Sequence, residues 1–384
     1  MNQSRGKRLD FQFVDGLRAI AAIAVALFHA YLFTGHNGDA ESKLPGVFKI
    51  FGLGDLAVPM FIVLSGFVLM LQVAGTPDLR MKNGIRDYIK RRARRILPPY
   101  YASLAIFGLL ILLVPILGAR QDTAWDTKIP VTWEGVAAHL LVLHNFSPDW
   151  IYQINGPAWS VATEWQLYFA LPFVLLPIWR RFRTRGALAT AVILAVAVAV
   201  FLPAAAGAHF WFIALFAMGA AAAHSVVRDT PIPRLGLLTL AAWAVAGGII
   251  VATKAPVWVS ELVLGVAMSL FVLWLARLRK TGQRNFVHAT LESKALAGTG
   301  KWSYSLYLIH SPILALGNLL LLSVQMPTIS RFGLMVGVIL PIAVALSYVF
   351  YLIVERRFLN NHQRSAKPGR ATVPGARHAA ETGV

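Results

Sequence analysis

The sequence contains no cysteine, and charged residues make up only 14% of its 384 residues. Without cysteine the chain has no disulfide, no thiolate metal site and no cysteine nucleophile. A soluble domain carries about 25% charged residues. The low charge, together with 57% hydrophobic residues, excludes a soluble enzyme, a coiled coil and a disordered chain. The apolar stretches are long and unbroken, which excludes a β-barrel, whose strands alternate apolar and polar residues.

Ten apolar stretches are long enough to cross a bilayer as helices, which need about 20 residues each. They lie near residues 15–35, 53–73, 100–118, 159–179, 187–206, 208–227, 235–253, 257–275, 302–324 and 332–354. The apolar stretch 134–146 is too short to cross, and we expect a re-entrant or interfacial helix there. The sequence therefore predicts an all-α, polytopic membrane protein.

The distribution of Lys and Arg explains the net charge of +19. With the N-terminus in the cytoplasm, 29 of the 36 basic residues fall in cytoplasmic segments, six fall outside, and Arg18 lies within a span. This asymmetry follows the positive-inside rule, so both termini are predicted to be cytoplasmic. The basic segments favour contact with anionic membrane lipids. Nucleic acid is not expected as a partner, because there is no soluble basic domain to bind it.

The last residues of the chain differ in composition from the rest. Residues 1–358 contain all the predicted spans and are expected to form one membrane domain. Residues 359–384 are rich in Ala, Gly, Arg and His, and we expect them to form a disordered cytoplasmic tail.

The first predicted span carries Arg18 and His29, although an ionisable side chain inside a membrane costs a few kcal/mol. The two residues are eleven positions apart, which is about 20° past three full turns, so both lie on one helix face. The rise between them is about 16 Å. That face offers a fixed cation near the cytoplasm and a titratable imidazole deep in the membrane. A snorkelling arginine and a hydrogen-bonded core histidine are the structural alternative.

The segment 86–101 is strongly basic, and five of its six residues from 90 to 95 are cationic. Guanidinium groups bind phosphates in a bidentate manner, so Arg91, Arg92 and Arg95 are candidates for a phosphate site. The alternative is an ordinary cluster that holds lipid headgroups. We expect Pro98-Pro99 to break this segment where the third span begins.

The segment 156–169 carries a polar stripe, because Ser160, Glu164 and Tyr168 recur every four residues. The predicted depth of Glu164 is close to that of His29, and a carboxylate can orient an imidazole or balance its charge. Structural pairing of Glu164 with another span is the alternative.

The segment 300–310 contains Tyr304, Tyr307 and His310 on one slowly drifting helix face. A tyrosine stripe alone is typical of packing, but a second histidine inside the membrane favours a functional site. Ser65, in the second span, is a possible nucleophile, although Ser65-Gly66 is more simply a small-residue pair that lets helices approach closely.

These segments together resemble integral-membrane acyltransferase family 3. The family includes bacterial O-acetyltransferases of polysaccharides, lipopolysaccharide, exopolysaccharide and nodulation factors, and macrolide acyltransferases. The matching segments are DGLRAIAAIAVALFH (15–29), FIVLSGF (61–67), YIKRRARRILPPYY (88–101), WSVATEWQLYF (159–169) and GKWSYSLYLIH (300–310). They follow the family's order and extend over nearly the whole chain.

The resemblance implies that acyl-CoA, usually acetyl-CoA, donates an acyl group from the cytoplasm to a hydroxyl of a sugar or sugar-like acceptor. It implies that the protein lies in the bacterial cytoplasmic membrane. Arg18 and His29 match the family's essential pair, Arg91, Arg92 and Arg95 match its expected contact with the CoA phosphates, and Glu164 matches its acidic position. The family often has Glu-x-Pro near the last span; here Glu355-Arg356-Arg357 lacks the proline, so no role is assigned to Glu355.

The mechanism expected from these residues has His29 as a general base for the acceptor hydroxyl. Glu164 would hold its tautomer, while Tyr304, Tyr307 and His310 would line the acyl-CoA tunnel or donate to the oxyanion. His29 could instead carry the acyl group itself. No metal is expected, since no histidine pair has ligand spacing within a span.

Three other functions stay open at this point. An acyltransferase that acts on a macrolide or another small metabolite would need the same residues. A non-catalytic sugar or acyl transporter also has many spans and buried charges. A sensor or assembly factor would tolerate loss of the positive charges of Arg91, Arg92 and Arg95. The sequence does not fix the acceptor, the acyl length or the oligomeric state.

Overall fold

The computed structural model describes residues 11–202 and 207–359, and all regular secondary structure in these two ranges is helical. We label the ten longest α-helices in chain order. They are α1 (Phe13–Leu32), α2 (Ala57–Leu71), α3 (Gly84–Leu113), α4 (Ala158–Ala170), α5 (Leu176–Phe201), α6 (Phe212–Val227), α7 (Leu235–Ala252), α8 (Val257–Lys280), α9 (Ser303–Leu322) and α10 (Leu340–Ile353). The predicted all-α polytopic architecture is confirmed.

Shorter helices connect the long ones. Those of α type are Asp39–Lys43, Pro115–Gly118, Trp133–Leu140, Phe286–Leu291, Lys294–Gly300 and Thr328–Leu334. Those of 3₁₀ type are Gly46–Leu56, Pro77–Leu79, Ala124–Lys128, His144–Phe146 and Glu355–Arg357. The helix Trp133–Leu140 coincides with the predicted short segment, and its eight residues are too few to cross a bilayer.

Eight helical stretches in the described part of the chain are long and apolar enough to span a membrane. Two of the predicted spans lie within one of them, the 44-residue stretch Ala158–Phe201, which is interrupted at Arg183 by a non-helical backbone. Another predicted span corresponds to α6, which has only 16 residues. The number of crossings and the cytoplasmic position of the termini stay predictions. The predicted tail, from residue 360 onward, lies outside the described residues.

Two proline-containing stretches continue as helices through a π-helical turn. Leu171–Leu175 joins α4 to α5, and Met335–Ile339 joins Thr328–Leu334 to α10. In each case a proline, Pro177 or Pro341, lies two residues after the turn. Its ring would clash with the carbonyl four residues earlier, at the centre of the turn, and the wider π turn relieves that clash.

The expected break at Pro98-Pro99 is wrong, because α3 runs without interruption from Gly84 to Leu113. Proline fixes φ near −65°, which is a helical value, so α3 continues through both prolines although each ring crowds the carbonyl four residues earlier. The Tyr304 hydroxyl donates a hydrogen bond of 3.0 Å to the Ile96 carbonyl and ties α9 to this turn. The basic segment and the third span are therefore one continuous helix.

Two of the helices that carry candidate residues, α1 and α9, lie at the centre of the bundle. The most apolar window of α9 is 72% buried and that of α1 is 56% buried, whereas that of α7 is 11% buried. Close packing of α2 on α6 depends on two glycines, since a Cβ on Gly66 would collide with the Phe216 carbonyl and one on Gly219 with the Val63 carbonyl. Gly66 therefore has the packing role that the sequence predicted for it.

Candidate active site

A cavity of about 200 Å³ lies between α1, α2, α3, α4 and α9. Six of the nine predicted site residues line it, from four segments that are far apart in the sequence. They are Arg18, Arg92, Arg95, Glu164, Tyr304 and Tyr307. The other polar residues of the lining are Ser65, Gln72, Ser160, Tyr168 and Ser303.

The lining of the cavity carries an excess of positive charge. Three guanidinium groups face one carboxylate, that of Glu164. The Nε atom of Arg92 is a buried donor with no hydrogen-bond partner among the described residues. A buried donor without a hydrogen-bond partner lowers the stability of the fold. The donor and the three positive charges therefore favour a ligand with several anionic oxygens, such as a phosphate ester.

Arg91 does not join the other two arginines, so the predicted group of three is divided. Its guanidinium forms an ion pair with Asp87 one turn earlier in α3, and the Arg91 side chain is one-third exposed. Around α3, Arg91 lies about 100° from Arg92 and about 40° from Arg95. It is thus at the edge of the face that Arg92 and Arg95 turn to the cavity, and it does not line the cavity.

Glu164 holds two hydroxyl groups at the cavity wall. Its Oε1 accepts a hydrogen bond from the Ser65 hydroxyl and one of 2.6 Å from the Tyr168 hydroxyl. The hydrogen bonds of Glu164 in the structure therefore go to α2 and to its own helix. The expected hydrogen bond from Glu164 to His29 is not found among the described residues; the carboxylate instead orders Ser65 beside the arginines.

His29 has a different partner, His310 of α9. The Nε2 atom of His310 lies 3.2 Å from Nδ1 of His29, and the ring centroids are 5.0 Å apart. His310 is fully buried, while His29 keeps some accessible surface. The two deepest histidines predicted from the sequence are thus brought into direct contact.

The hydrogen bonds assign the tautomer of both rings. A carbonyl only accepts, so Nδ1 of His310, 2.7 Å from the Leu306 carbonyl, carries a proton and its Nε2 is an acceptor. Nδ1 of His29 lies between that acceptor and the Val25 carbonyl, at 2.9 Å, and it therefore carries a proton too. The unprotonated nitrogen of His29 is then Nε2. Within the described residues this atom has no hydrogen bond, so its lone pair is available.

Tyr307 contacts both the cavity and the histidine pair. Its hydroxyl lies 2.6 Å from the Ser160 hydroxyl and donates to the Pro157 carbonyl at 3.2 Å. Its ring lines the cavity, and the ring centroid is 6.1 Å from that of His310. This one residue therefore connects the arginine-lined space to the pair.

Glu355, to which the sequence assigned no role, follows α10 and lies against the first turn of α9. Its Oε2 accepts hydrogen bonds from the backbone N–H of Ser305, at 3.1 Å, and from the Ser305 hydroxyl, at 2.5 Å. This carboxylate caps the N-terminus of the helix that carries Tyr304, Tyr307 and His310. The signal in the sequence was an acidic residue directly after the last apolar stretch. For metals, no group of three His, Asp or Glu residues within 11–202 and 207–359 is placed to hold an ion.

Comparison with known proteins adds a family to this geometry. A family model described as "Acyltransferase domain" matches residues 11–351. Acyltransferase MdmB of Streptomyces mycarofaciens is 25% identical over 335 residues, which cover 80% of each chain.

Two further relatives match over shorter regions. Nodulation protein 10 of Rhizobium leguminosarum bv. viciae is 27% identical over 195 residues, 49% of this chain and 50% of the relative. O-acetyltransferase OatA of Staphylococcus aureus is 23% identical over 180 residues, 46% of this chain and 26% of the relative. No solved structure matches. Because the family model extends over most of the sequence, including every segment that forms the cavity and the histidine pair, the chain belongs to acyltransferase family 3.

Proposed function

We propose that this protein is an O-acyltransferase of the bacterial cytoplasmic membrane. It moves an acyl group, most simply acetyl, from cytoplasmic acyl-CoA to a hydroxyl of a carbohydrate-type acceptor. The observation that carries the proposal is an arginine-lined cavity that shares Tyr307 with the histidine pair, in which His29 has an available Nε2. The name of one relative, an O-acetyltransferase, supports both the acetyl group and the hydroxyl acceptor.

The donor side of the proposal is based on the three arginines of the cavity. Arg18, Arg92 and Arg95 are suited to the phosphates of CoA, with the unpartnered Nε of Arg92 as one donor. A typical small-molecule site has a volume of roughly 300–1,000 Å³, and this cavity has about 200 Å³. It therefore accommodates only part of acyl-CoA, with CoA phosphate groups at the arginines and the adenosine outside the cavity.

The acceptor side is based on the histidine pair. Nε2 of His29 takes the proton of the acceptor hydroxyl, and the oxygen attacks the thioester carbonyl. A new C–O bond forms, the C–S bond breaks, and the proton passes from His29 to the leaving thiolate, so that the products are an ester and CoA-SH. His310 accepts the Nδ1–H hydrogen bond of His29 throughout, and so stabilises the imidazolium while it exists.

In this proposal Tyr307 moves so that the thioester can reach His29. Its ring contacts both the cavity and His310, and its hydroxyl is held by Ser160 and by Pro157, which directly precedes α4. A rotation of this one side chain would join the cavity to the histidine pair. The Tyr307 hydroxyl is also a candidate donor to the oxyanion of the tetrahedral intermediate.

The experiment uses purified protein, acetyl-CoA labelled in the acetyl group, and a panel of acceptors: cell-envelope glycan, lipid-linked sugar, secreted oligosaccharide and macrolide. Mass spectrometry detects an acceptor heavier by one acetyl group, and a thiol reagent measures the CoA released. The proposal predicts stoichiometric formation of acetylated carbohydrate and CoA-SH. Acetylation of the macrolide alone would replace the carbohydrate by a small metabolite as acceptor.

Binding of CoA distinguishes the enzyme from a transporter for sugars. A ligand that binds the folded state raises the melting temperature, so CoA is expected to stabilise the purified protein. A sugar transporter would gain no stability from CoA at any concentration.

A further inference from the structure

A buried lysine lies close to His29 on a connecting segment, outside the membrane-spanning helices. Lys128 ends the short helix Ala124–Lys128, and its side chain is only 6% exposed. Sequence reasoning counted it only as one basic residue of a predicted outer segment. A lysine this deeply buried loses the hydration of its ammonium group, so its position needs an explanation.

The neighbours of the Lys128 ammonium are neutral. Nζ donates to the Ala124 carbonyl at 3.1 Å and to the Thr127 hydroxyl at 2.5 Å. It also lies over two aromatic rings, 5.8 Å from the centroid of Phe33 and 5.3 Å from that of Tyr152. No ion pair with a carboxylate is found for it within the described part of the chain, so its positive charge acts on its surroundings without cancellation.

The same packing joins Lys128 to both parts of the candidate site. The Phe33 ring that faces the ammonium is also 5.8 Å from the His29 ring, so Lys128 and His29 contact the same side chain. The aliphatic stem of Lys128 packs on Gly156, where a Cβ would come within 2.7 Å of Cε. Gly156 directly precedes Pro157, whose carbonyl holds Tyr307.

We propose that Lys128 is a positioning residue for acyl transfer: its ammonium group disfavours a proton on His29 and so keeps the Nε2 lone pair available at neutral pH. This role rests on the proposed function, in which His29 is the general base. A positive charge near an imidazole opposes formation of the imidazolium, and the opposition is strong where water is excluded.

The charged state of Lys128 at neutral pH agrees with this role. Burial lowers the pKa of Lys128 from 10.5 to about 8, because the ammonium is desolvated. The group therefore stays mostly protonated at pH 7. The titratable groups that face His29 are His310 of α9 and Lys128, and those that face Lys128 are His29 and Tyr152.

The test follows the protonation of His29 without relying on catalysis. Diethyl pyrocarbonate modifies neutral imidazole, so the rate of modification of His29, followed by mass spectrometry of its peptide, gives the pH midpoint of its titration. In Lys128→Met this midpoint is expected to rise by about one pH unit, which is the order of the effect of one nearby charge in a protein interior. Lys128→Arg keeps the charge and is expected to match the wild type.

Kinetics provide the second readout. The acidic limb of kcat/KM against pH is expected to move upward with the modification midpoint, while the plateau above pH 8 stays unchanged. Equal midpoints in Lys128→Met and wild type, or an equal loss of activity at every pH, would overturn the inference. If Lys128→Met does not fold, Lys128→Gln removes the charge and keeps hydrogen-bond donors. Retained activity in His29→Ala would contradict the proposed function instead, whatever the Lys128 variants do.

Discussion

His310 accepts a hydrogen bond from His29 across the interface of two central helices, with 3.2 Å between Nε2 and Nδ1. A second hydrogen bond, from Nδ1 of His310 to the Leu306 carbonyl, fixes the acceptor state of its other nitrogen. The pair therefore determines which nitrogen of His29 is free. In the proposed mechanism His310 therefore has the orienting role that the sequence suggested for Glu164.

Removal of the orienting histidine is expected to reduce turnover without weakening donor binding. In His310→Phe, kcat should fall by roughly 10-fold to 100-fold, a fraction of the ~10²–10⁴ that general-base catalysis contributes. KM for acyl-CoA should change little, because His310 does not line the cavity. Steady-state kinetics measure both, with His224→Phe at the end of α6 as the histidine control. A higher KM with unchanged kcat would contradict the orienting role.

Because Arg92 and Arg95 line the cavity and Arg91 does not, substitutions of these neighbouring arginines should differ in their effect on the binding of acyl-CoA. Arg92→Gln and Arg95→Gln should each raise KM for acyl-CoA by about 10-fold to 100-fold, the effect of losing a hydrogen bond to a charged group. Arg91→Gln is the matched control, since its guanidinium pairs with Asp87 away from the cavity, and it should leave KM near the wild-type value. Equal effects of all three substitutions would point to a general attraction for anions and against a defined site.

The two hydroxyl groups that donate hydrogen bonds to Glu164 predict that two substitutions of this residue differ in their effect on stability. Glu164→Ala leaves the Ser65 and Tyr168 hydroxyls without their acceptor, at a cost of about 1–3 kcal/mol for each buried group. Glu164→Gln keeps an acceptor oxygen and should be much less destabilised. Thermal unfolding of the two variants in the same detergent measures the difference. Equal melting temperatures would show that these hydrogen bonds do not stabilise the fold.

The sequence could predict the relative positions of site residues on one helix, but it could not predict contacts between residues of two different helices. The spacing of Arg18 and His29 on a single helix placed them on one face, and the recurrence of Glu164 and Tyr168 placed these two on one polar stripe, where a hydrogen bond joins them. The partner of His29 could not be predicted in this way. The sequence suggested Glu164 and does not show that α9, which carries His310, packs beside α1.

The same reason explains the incorrect or missing predictions outside the pair. The side of α3 that faces the cavity depends on how that helix packs, so the periodicity could not separate Arg91 from Arg92. The break at Pro98-Pro99 was predicted from the local rule that proline ends a helix, whereas α3 continues through both prolines. The contacts of Lys128 and Glu355 are made by segments between or after the spans, where no hydrophobic period indicates which side is buried.

Burial of Lys128 predicts a stability effect with a definite sign. Its pKa is about 8 in the folded protein and near 10.5 in the unfolded chain, so between these values the unfolded state binds more protons. Stability therefore rises with pH across this window. The melting temperature of the wild type relative to Lys128→Met should increase from pH 8 to pH 10. A flat difference would show that the ammonium is not desolvated.

The central claim is tested most directly by acyl transfer in His29→Ala, with binding of CoA to the same sample as the control for folding. CoA should stabilise the variant against heat as it stabilises the wild type, because the three cavity arginines are intact. The rate of transfer from acetyl-CoA should fall by ~10²–10⁴. Transfer within a few-fold of the wild type, in a variant that still binds CoA, would contradict the claim that His29 is the base.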